Sequence, residues 1–539
     1  MHNAHLLGLL IAALAVTALA RRLNWSAPLL LVAVGMVVSF LPGVPPFELH
    51  PELVLTVVLP PLLYSAALDS SYLSLKAAVR PIVGLGVVLV VVTAFAVGYV
   101  VHLLMPGLPF AAALALGAVV APPDAVTAAA IGRQLGLPRG LMTVLSGESL
   151  VNDAAALTVY KVAVAAVVGA GGSFARGVGV FGLATVVGIA LGLVLGWAAH
   201  AVRMRLGDTS LESVFGLTVP FAAYLIAEEL HGSGVLAVVA AGLVLGHLSP
   251  RASFATRLQA QTVWNTVNLL LETVVFALIG LQLRTVLDGL NASGVALNTV
   301  VGKALLVLLA VIVIRVVAVF VLGMLPRVPL IPQRRDRPSW RALLVISWTG
   351  MRGVVTLAAA AAIPLTTDSG APFPGRETIA LVAFVVTVGT LLVQGLTLPW
   401  LIRRLDVRDP GERGRDAEAE ANAREAATAA AMARFDELVA PAAVQLPPEV
   451  AAKLSERLRA MERMRAKVAA RRLEQTDDED ADGRAGAFTR LRRELLSTQR
   501  EALVAERDAG RLDDEVMRRV LRELDLEEAA LTSSWRSRL

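Results

Sequence analysis

Gly147-Glu148-Ser149-Leu150-Val151-Asn152-Asp153-Ala154 is the stretch that decides how this chain is read. It lies inside Leu141 to Val168, which is otherwise apolar apart from Lys161. A helix facing lipid does not carry Glu148 and Asp153, because an isolated charge near the bilayer centre is costly. Both acids must face the interior of a bundle or a water-filled cavity. An ionisable group so placed marks a candidate site for moving an ion.

Working outward, 56% of the 539 residues are hydrophobic and 17% are charged. The average conceals two regimes. Residues 1–404 are a succession of apolar, helix-length runs and read as a transmembrane domain. Residues 405–539 are rich in Arg, Glu, Asp and Ala and read as a helical cytoplasmic tail. The chain has no cysteine, which excludes disulfides, thiol chemistry and cysteine-ligated metals. The net charge of +5 does not point to nucleic acid, since the basic residues lie in loops between spans and in the tail. The apolar run His5 to Ala20 is followed, not preceded, by Arg21-Arg22. That is the pattern of a first transmembrane helix rather than a cleaved signal.

The fold class expected is an all-α polytopic membrane protein of about thirteen spans. They fall near 4–20, 27–41, 53–69, 81–104, 110–131, 141–168, 174–200, 211–230, 232–249, 262–287, 298–325, 341–364 and 377–401. Spans eight and nine have almost no loop between them, at Glu228, Glu229 and His231. Loop charges alternate with the spans. Odd-numbered spans are followed by Arg21/Arg22, Lys76/Arg80, Arg133/Arg139, Arg203/Arg205, Arg251/Arg257, Arg327 through Arg341, and Arg403/Arg404. The other loops carry only Arg176, Arg284 and Arg376. By the positive-inside rule the N-terminus is outside and the tail cytoplasmic.

Two spans carry interruptions. Ala121-Pro122-Pro123-Asp124 puts two prolines and an acid in span five, and Thr349-Gly350-Met351-Arg352-Gly353 puts a charge between glycines in span twelve. Proline removes a backbone donor and clashes with the preceding turn. Backbone broken at membrane depth must face protein or a cavity. Spans five and twelve are the fifth members of two six-span sets, 1–6 and 8–13, whose topologies are inverted by span seven. Broken helices at matching places in two inverted repeats point to a transport site where they cross.

Helical spacing puts Asp153 and Ser149 on one face, and Glu148 and Asn152 on an adjoining one. Asp124 is the natural third oxygen donor, with backbone carbonyls freed by Pro122-Pro123. Carboxylate, hydroxyl and carbonyl suit any hard monovalent or divalent cation, so these ligands do not choose the ion. Burial favours the protonated carboxylate and a bound cation favours the ionised one. One carboxylate therefore holds a proton or a cation in turn, which suffices for exchange. Asp153 is the candidate for that role, and neutral Asn152 is suited to holding the broken segment. Arg315, in the middle of span eleven, needs a counter-charge, and Glu148 is assigned to it as a structural ion pair. Arg352 either offsets helix-end dipoles at the crossing or repels cations from a wrong path. Glu272 is either a member of a second buried pair or a cavity acid.

The chain resembles the monovalent cation:proton antiporter-1 family, bacterial sodium/proton antiporters related to the animal sodium/proton exchangers. The resemblance rests on Leu59-Pro60-Pro61-Leu62-Leu63-Tyr64, Pro122-Pro123-Asp124-Ala125-Val126, Gly147 to Asp153, Phe276 to Leu283, and Trp348 to Val355, taken in order. It implies thirteen spans, a cytoplasmic C-terminus, a homodimer in the cell membrane, and a core moving against a dimerisation domain. It implies Na+ ligands at Asp153, Asp124 and Ser149, and the buried pair at Glu148 and Arg315. Asn152 marks the electroneutral branch, so the resemblance implies that one Na+, or Li+ in its place, exchanges for one H+. Two positions depart from the pattern. Pro123 stands where many relatives have threonine, so a ligand there is its backbone carbonyl. Ser65 stands where many have a carboxylate.

No nucleotide-binding loop is present to power a pump, and no cofactor is implied beyond the transported Na+ and H+. Nothing suggests an enzyme. The tail carries helix-like pieces near 421–440, 449–475, 484–508 and 513–530, whose apolar stripes suit self-association or a regulatory partner. The run Asp477 to Asp482 reads as a solvated linker. A K+/H+ antiporter of the same fold is the alternative, and a cation channel or membrane sensor is the alternative of another class.

Overall fold

Long apolar runs fold as helices in a bilayer because the hydrocarbon offers the backbone no other hydrogen-bond partner. The computed structural model describes residues 2–23, 25–42, 44, 50–124, 128, 131–133, 135–169, 174–249, 252, 254–292, 296–324 and 339–407, with scattered positions beyond. The helices are α1 (His2–Arg22), α2 (Ala27–Val38), α3 (Pro51–Leu68), α4 (Tyr72–Ala77), α5 (Val79–Leu104), α6 (Phe110–Val120) and α7 (Arg139–Val168). They continue with α8 (Phe174–Leu206), α9 (Thr209–Glu229), α10 (Gly234–Leu248), α11 (Phe254–Ala292), α12 (Leu297–Met324), α13 (Trp340–Trp348), α14 (Val354–Ala361) and α15 (Arg376–Leu405). Among the described residues there is no strand, only an isolated bridge from Thr366 to Pro372. Eight of these helices are long and apolar enough to cross a membrane, so the chain is a multi-pass membrane protein.

The chain divides into two compact units, Met1–Arg408 and Asp409–Leu539. The helical pieces expected in the tail, with their acidic run, lie almost wholly outside the described residues, as does most of the basic loop from Arg327. In the first unit several helices outrun their expected spans. Helix α11 covers Phe254–Ala292 where 262–287 was the apolar window, because its polar first turns continue the helix beyond the hydrocarbon. Spans five and twelve are not continuous. Helix α6 stops at Val120, before the proline pair, and span twelve is split into α13 and α14.

The short connection between α9 and α10 is a turn after all. His231 takes a left-handed conformation, φ 56°, and the Gly232 amide returns to the Ala227 carbonyl at 2.7 Å. Ser233 then caps α10 by accepting from the Leu236 amide at 3.4 Å. Asp208 caps α9 more tightly, accepting from Ser210 and Leu211 at 2.8 Å. Helices α8 and α10 lie close because Gly188, Gly192 and Gly196 line one face of α8. A methyl on Gly196 would lie 3.0 Å from Cα of Ala241, and one on Gly188 2.5 Å from the Ser233 carbonyl. Two helices carry a π-helical turn, Val54–Val58 in α3 and Gly84–Leu89 in α5. The first directly precedes Pro60-Pro61, whose missing N–H groups break the ordinary ladder. The second packs Gly86 against the backbone of Glu148, where a methyl would stand 3.2 Å from its carbonyl oxygen.

Candidate functional site

The two interruptions meet. The Asp124 amide donates to the Met351 carbonyl at 2.6 Å, so the break after α6 is tied to the break between α13 and α14. The contact needs Gly353: any Cβ there would stand 2.8 Å from Cβ, Cγ and Oδ2 of Asp124. Asp124 thus lies beside the first turn of α14, where the positive end of the helix favours a carboxylate.

A helix that stops in the membrane leaves its last carbonyls without partners. The ends of α6 and α13 are each closed by a buried guanidinium. Arg352, fully buried, donates from Nε to the Val120 carbonyl at 2.7 Å and from Nη2 to that of Ala121 at 3.4 Å, closing the end of α6. Its Nη1 donates to the Gly350 carbonyl. These are the contacts of a helix-end cap. Arg315 on α12 does the same for α13, donating to the carbonyls of Ser347 at 3.3 Å and Ile346 at 3.2 Å. Gly350 leaves room for it, since a methyl there would meet the Arg315 side chain.

Arg315 also meets Glu148 on α7. Nη1 donates to Oε1 at 2.8 Å and Nη2 to Oε2 at 3.2 Å, a two-pronged pair with both side chains 2% exposed. Such a fork uses the geometry of guanidinium and carboxylate fully. One residue thereby ties α12, α7 and α13 together. The pairing was legible from two unmatched buried charges; the capping of α13 was not, because no spacing in the sequence reveals which helix end lies near Arg315.

One turn further along α7, Asn152 is fully buried and its Nδ2 donates to the Pro123 carbonyl at 2.7 Å. The amide thus holds the segment broken by the prolines. Its Oδ1 is buried without a hydrogen-bond partner. Asp153, Asp124 and Ser149 line a single cavity of about 70 Å³, between α3, α7, α11 and the crossing. Its wall is largely apolar, with the two carboxylates and the Ser149 hydroxyl among its few oxygen donors, a set that suits a hard cation. A second, smaller void of about 10 Å³ touches Asp153 from the side of Tyr160 and Ala359. Asp153 therefore borders both spaces, together with Pro122 and Val355.

Glu272 also lines the larger cavity. Of its two possible places, the structure gives the cavity wall. A mid-span acid without a basic residue at matching depth was the available signal. Ser65 on α3 donates to Oδ1 of Asn268 at 2.9 Å, one turn before Glu272 on α11. The span-three position is thus occupied by a neutral bond between helices, while a carboxylate enters the cavity from α11.

The chain is similar to known proteins in sequence and in fold. The sequence profile described as "Sodium/hydrogen exchanger, transmembrane" matches residues 9–404. The chain is 35% identical over 530 residues to an uncharacterized Na+/H+ exchanger of Mycobacterium tuberculosis, covering 97% of this chain and 95% of that one. It is 33% identical over 382 residues to a Na+/H+ antiporter of Aphanothece halophytica, covering 70% of this chain and 69% of the relative. A sodium, potassium, lithium and rubidium/H+ antiporter of Bacillus subtilis is 32% identical over 384 residues, covering 69% and 57% of the two chains. Among solved structures, the sodium proton antiporter MjNhaP1 of Methanocaldococcus jannaschii shares the fold with a TM-score of 0.57 and 20% identity, over 76% of this chain and 100% of that one. Crossed broken helices, a carboxylate cavity beside them and a profile spanning the whole membrane unit lead to one conclusion: the chain is a transporter, not an enzyme, and belongs to the sodium/hydrogen exchanger family.

Proposed function

We propose that this protein exchanges Na+ for H+ by alternating access, with the two ions competing for Asp153. The observation that carries the reading is the meeting of Asp153, Asp124 and Ser149 on one small cavity at the helix crossing. Asp153 and Asp124 supply charge and Ser149 a neutral oxygen. The Pro123 carbonyl already accepts from Asn152, so its second lone pair is what it has to offer an ion. Asn152 does not line the cavity, but its unpartnered Oδ1 is a further neutral oxygen on the side chain that holds the Pro123 carbonyl. Asp153 carries outward what it took up inward: a cation in one direction, a proton in the other. Because only a neutralised site crosses readily, net charge does not accumulate and exchange is electroneutral, one for one.

The same reading places thirteen spans in two inverted repeats, residues 1–404 in the cell membrane, the N-terminus outside and residues 405–539 in the cytoplasm. It makes the protein a homodimer serving pH homeostasis, with the tail as a site of self-association or regulation. K+ is the second candidate ion, since one relative is named for four alkali cations and the oxygen donors do not discriminate by type.

Reconstitution in proteoliposomes with an internal pH dye tests this. Na+ gradients are imposed with the voltage clamped by K+ and valinomycin, and K+ gradients separately. Voltage-insensitive, Na+-driven proton flux supports the proposal. A response to K+ alone keeps the mechanism and changes the ion. Voltage-dependent exchange overturns the one-for-one stoichiometry, and cation flux without proton countermovement turns the reading to a channel.

A further inference from the structure

The peptide group joining Met351 to Arg352 is held at both ends. Its carbonyl accepts from the Asp124 amide at 2.6 Å, and its N–H donates to Oγ1 of Thr390 on α15 at 3.0 Å. Met351, Arg352 and Thr390 are all completely buried. From the geometry we infer that Thr390 is a positioning residue for the ion site: it fixes Asp124 through this single peptide plane. The inference rests on the reading of Asp124 as an ion ligand.

Three features make Thr390 suited to that task. Its hydroxyl hydrogen is already committed to its own helix, to the Thr387 carbonyl at 3.1 Å. The oxygen is therefore fixed as an acceptor facing the break, and the β-branch restricts its rotation. The peptide it holds lies in neither α13 nor α14, so no helical ladder would orient it otherwise. Hydrogen bonds in series through one peptide polarise each other, so loss of the Thr390 end weakens the Asp124 end. The bond also bears on the α6 cap, because the Arg352 side chain that closes α6 springs from the residue whose amide Thr390 holds.

Its place in the fold supports the same role. Thr390 stands as far along the 30-residue helix α15 as Asp153 stands along the 30-residue helix α7. Each helix follows a broken span in the chain. At this depth α7 presents an ion-binding acid to the crossing, and α15 presents a neutral acceptor that holds the crossing still. The face of α15 is polar on either side of Thr390: the Thr387 hydroxyl and both ends of the Gln394 amide are fully buried and unpartnered.

Two substitutions separate positioning from mere packing. Thr390→Val keeps the shape and removes the acceptor, and Thr390→Ser keeps the acceptor. Na+-driven proton flux in proteoliposomes gives KM and Vmax, and thermal unfolding in detergent reports folding. The expected result is a KM for Na+ raised about tenfold in Thr390→Val, with Vmax changed far less and Thr390→Ser within about twofold of wild type. A lowered melting temperature with unchanged KM in Thr390→Val would make the bond structural only and overturn the inference. So would equal KM increases in both variants, since the hydroxyl would then not be the cause. Asp124→Asn is measured beside them. If its KM is unchanged, the ion-site reading fails and the inference with it. If its KM rises while that of Thr390→Val does not, the inference alone fails.

Discussion

Two faces of α7, one turn apart, treat their acids in opposite ways. Glu148 is met by two guanidinium nitrogens and is 2% exposed. Asp153, itself 9% exposed, opens onto a cavity shared with Asp124, Ser149 and Glu272. Both are carboxylates at membrane depth, so burial does not separate them. What separates them is the partner: Glu148 has a permanent counter-charge, whereas Asp153 faces a cavity, the place that the proposed exchange gives to an ion that comes and goes. The comparison breaks at its fixed end first. Arg315→Ala leaves Glu148 buried and unpaired, and removes the cap of α13, so it should cost about 3–5 kcal/mol. The check is thermal unfolding and the yield of folded protein in detergent, where the variant should be hard to recover. The double change Glu148→Leu with Arg315→Met should recover part of the loss, because no charge is then stranded. A stable, active Arg315→Ala would show that the pair is dispensable and that the two faces do not differ as argued.

At the open end the effect falls on transport rather than folding. Asp153→Asn keeps size and removes the titrating group. Na+-driven proton flux should drop by at least about a hundredfold while the melting temperature stays near wild type. Flux that survives would move the exchanging carboxylate to Asp124 or Glu272.

The contrast between the faces was partly legible in the sequence. Glu148 and Arg315 could be matched because each is a charge that an apolar span does not tolerate alone. Asp153 and Asp124 could be grouped because each sits beside a helix break or on the face that meets one. The helices themselves were plain, since apolar runs admit only one backbone solution in lipid. The rest depended on tertiary placement. Which carbonyls Arg352 closes, which peptide Thr390 holds and which wall Glu272 occupies are contacts between residues far apart in the chain. Gly353 stood out in the sequence only as a glycine flanking Arg352 at a break, and it is the approach of Asp124 that makes it necessary. The ends of α11 were missed for a different reason: a hydropathy window reports where the lipid ends, and a helix does not stop there.

Glu272 sharpens the comparison, because it is a cavity acid that arrives from α11 rather than α7. On the proposed reading, a charge there adds to the field that draws a cation in, at one remove from the crossing. Glu272→Gln should raise the KM for Na+ about tenfold and leave exchange coupled to protons. Ion competition in proteoliposomes is the measure. Uncoupled or abolished exchange would give Glu272 the role assigned to Asp153.

Ser149 should show the smallest effect. It lies on the cavity wall a turn before Asp153, and its hydroxyl is neutral. Removing it takes away one oxygen among several and leaves both acids at the crossing in place. Ser149→Ala should therefore raise the KM for Na+ by about fivefold, the worth of one modest neutral contact, with Vmax and melting temperature close to wild type. The choice among ions is the finer reading. A hydroxyl that touches the ion should matter most to the smallest and most tightly held cation, so Li+ should lose more affinity than K+ in the same variant. Equal losses for Li+, Na+ and K+ would mean that Ser149 shapes the helix rather than meeting the ion. The open face would then be made of carboxylates alone.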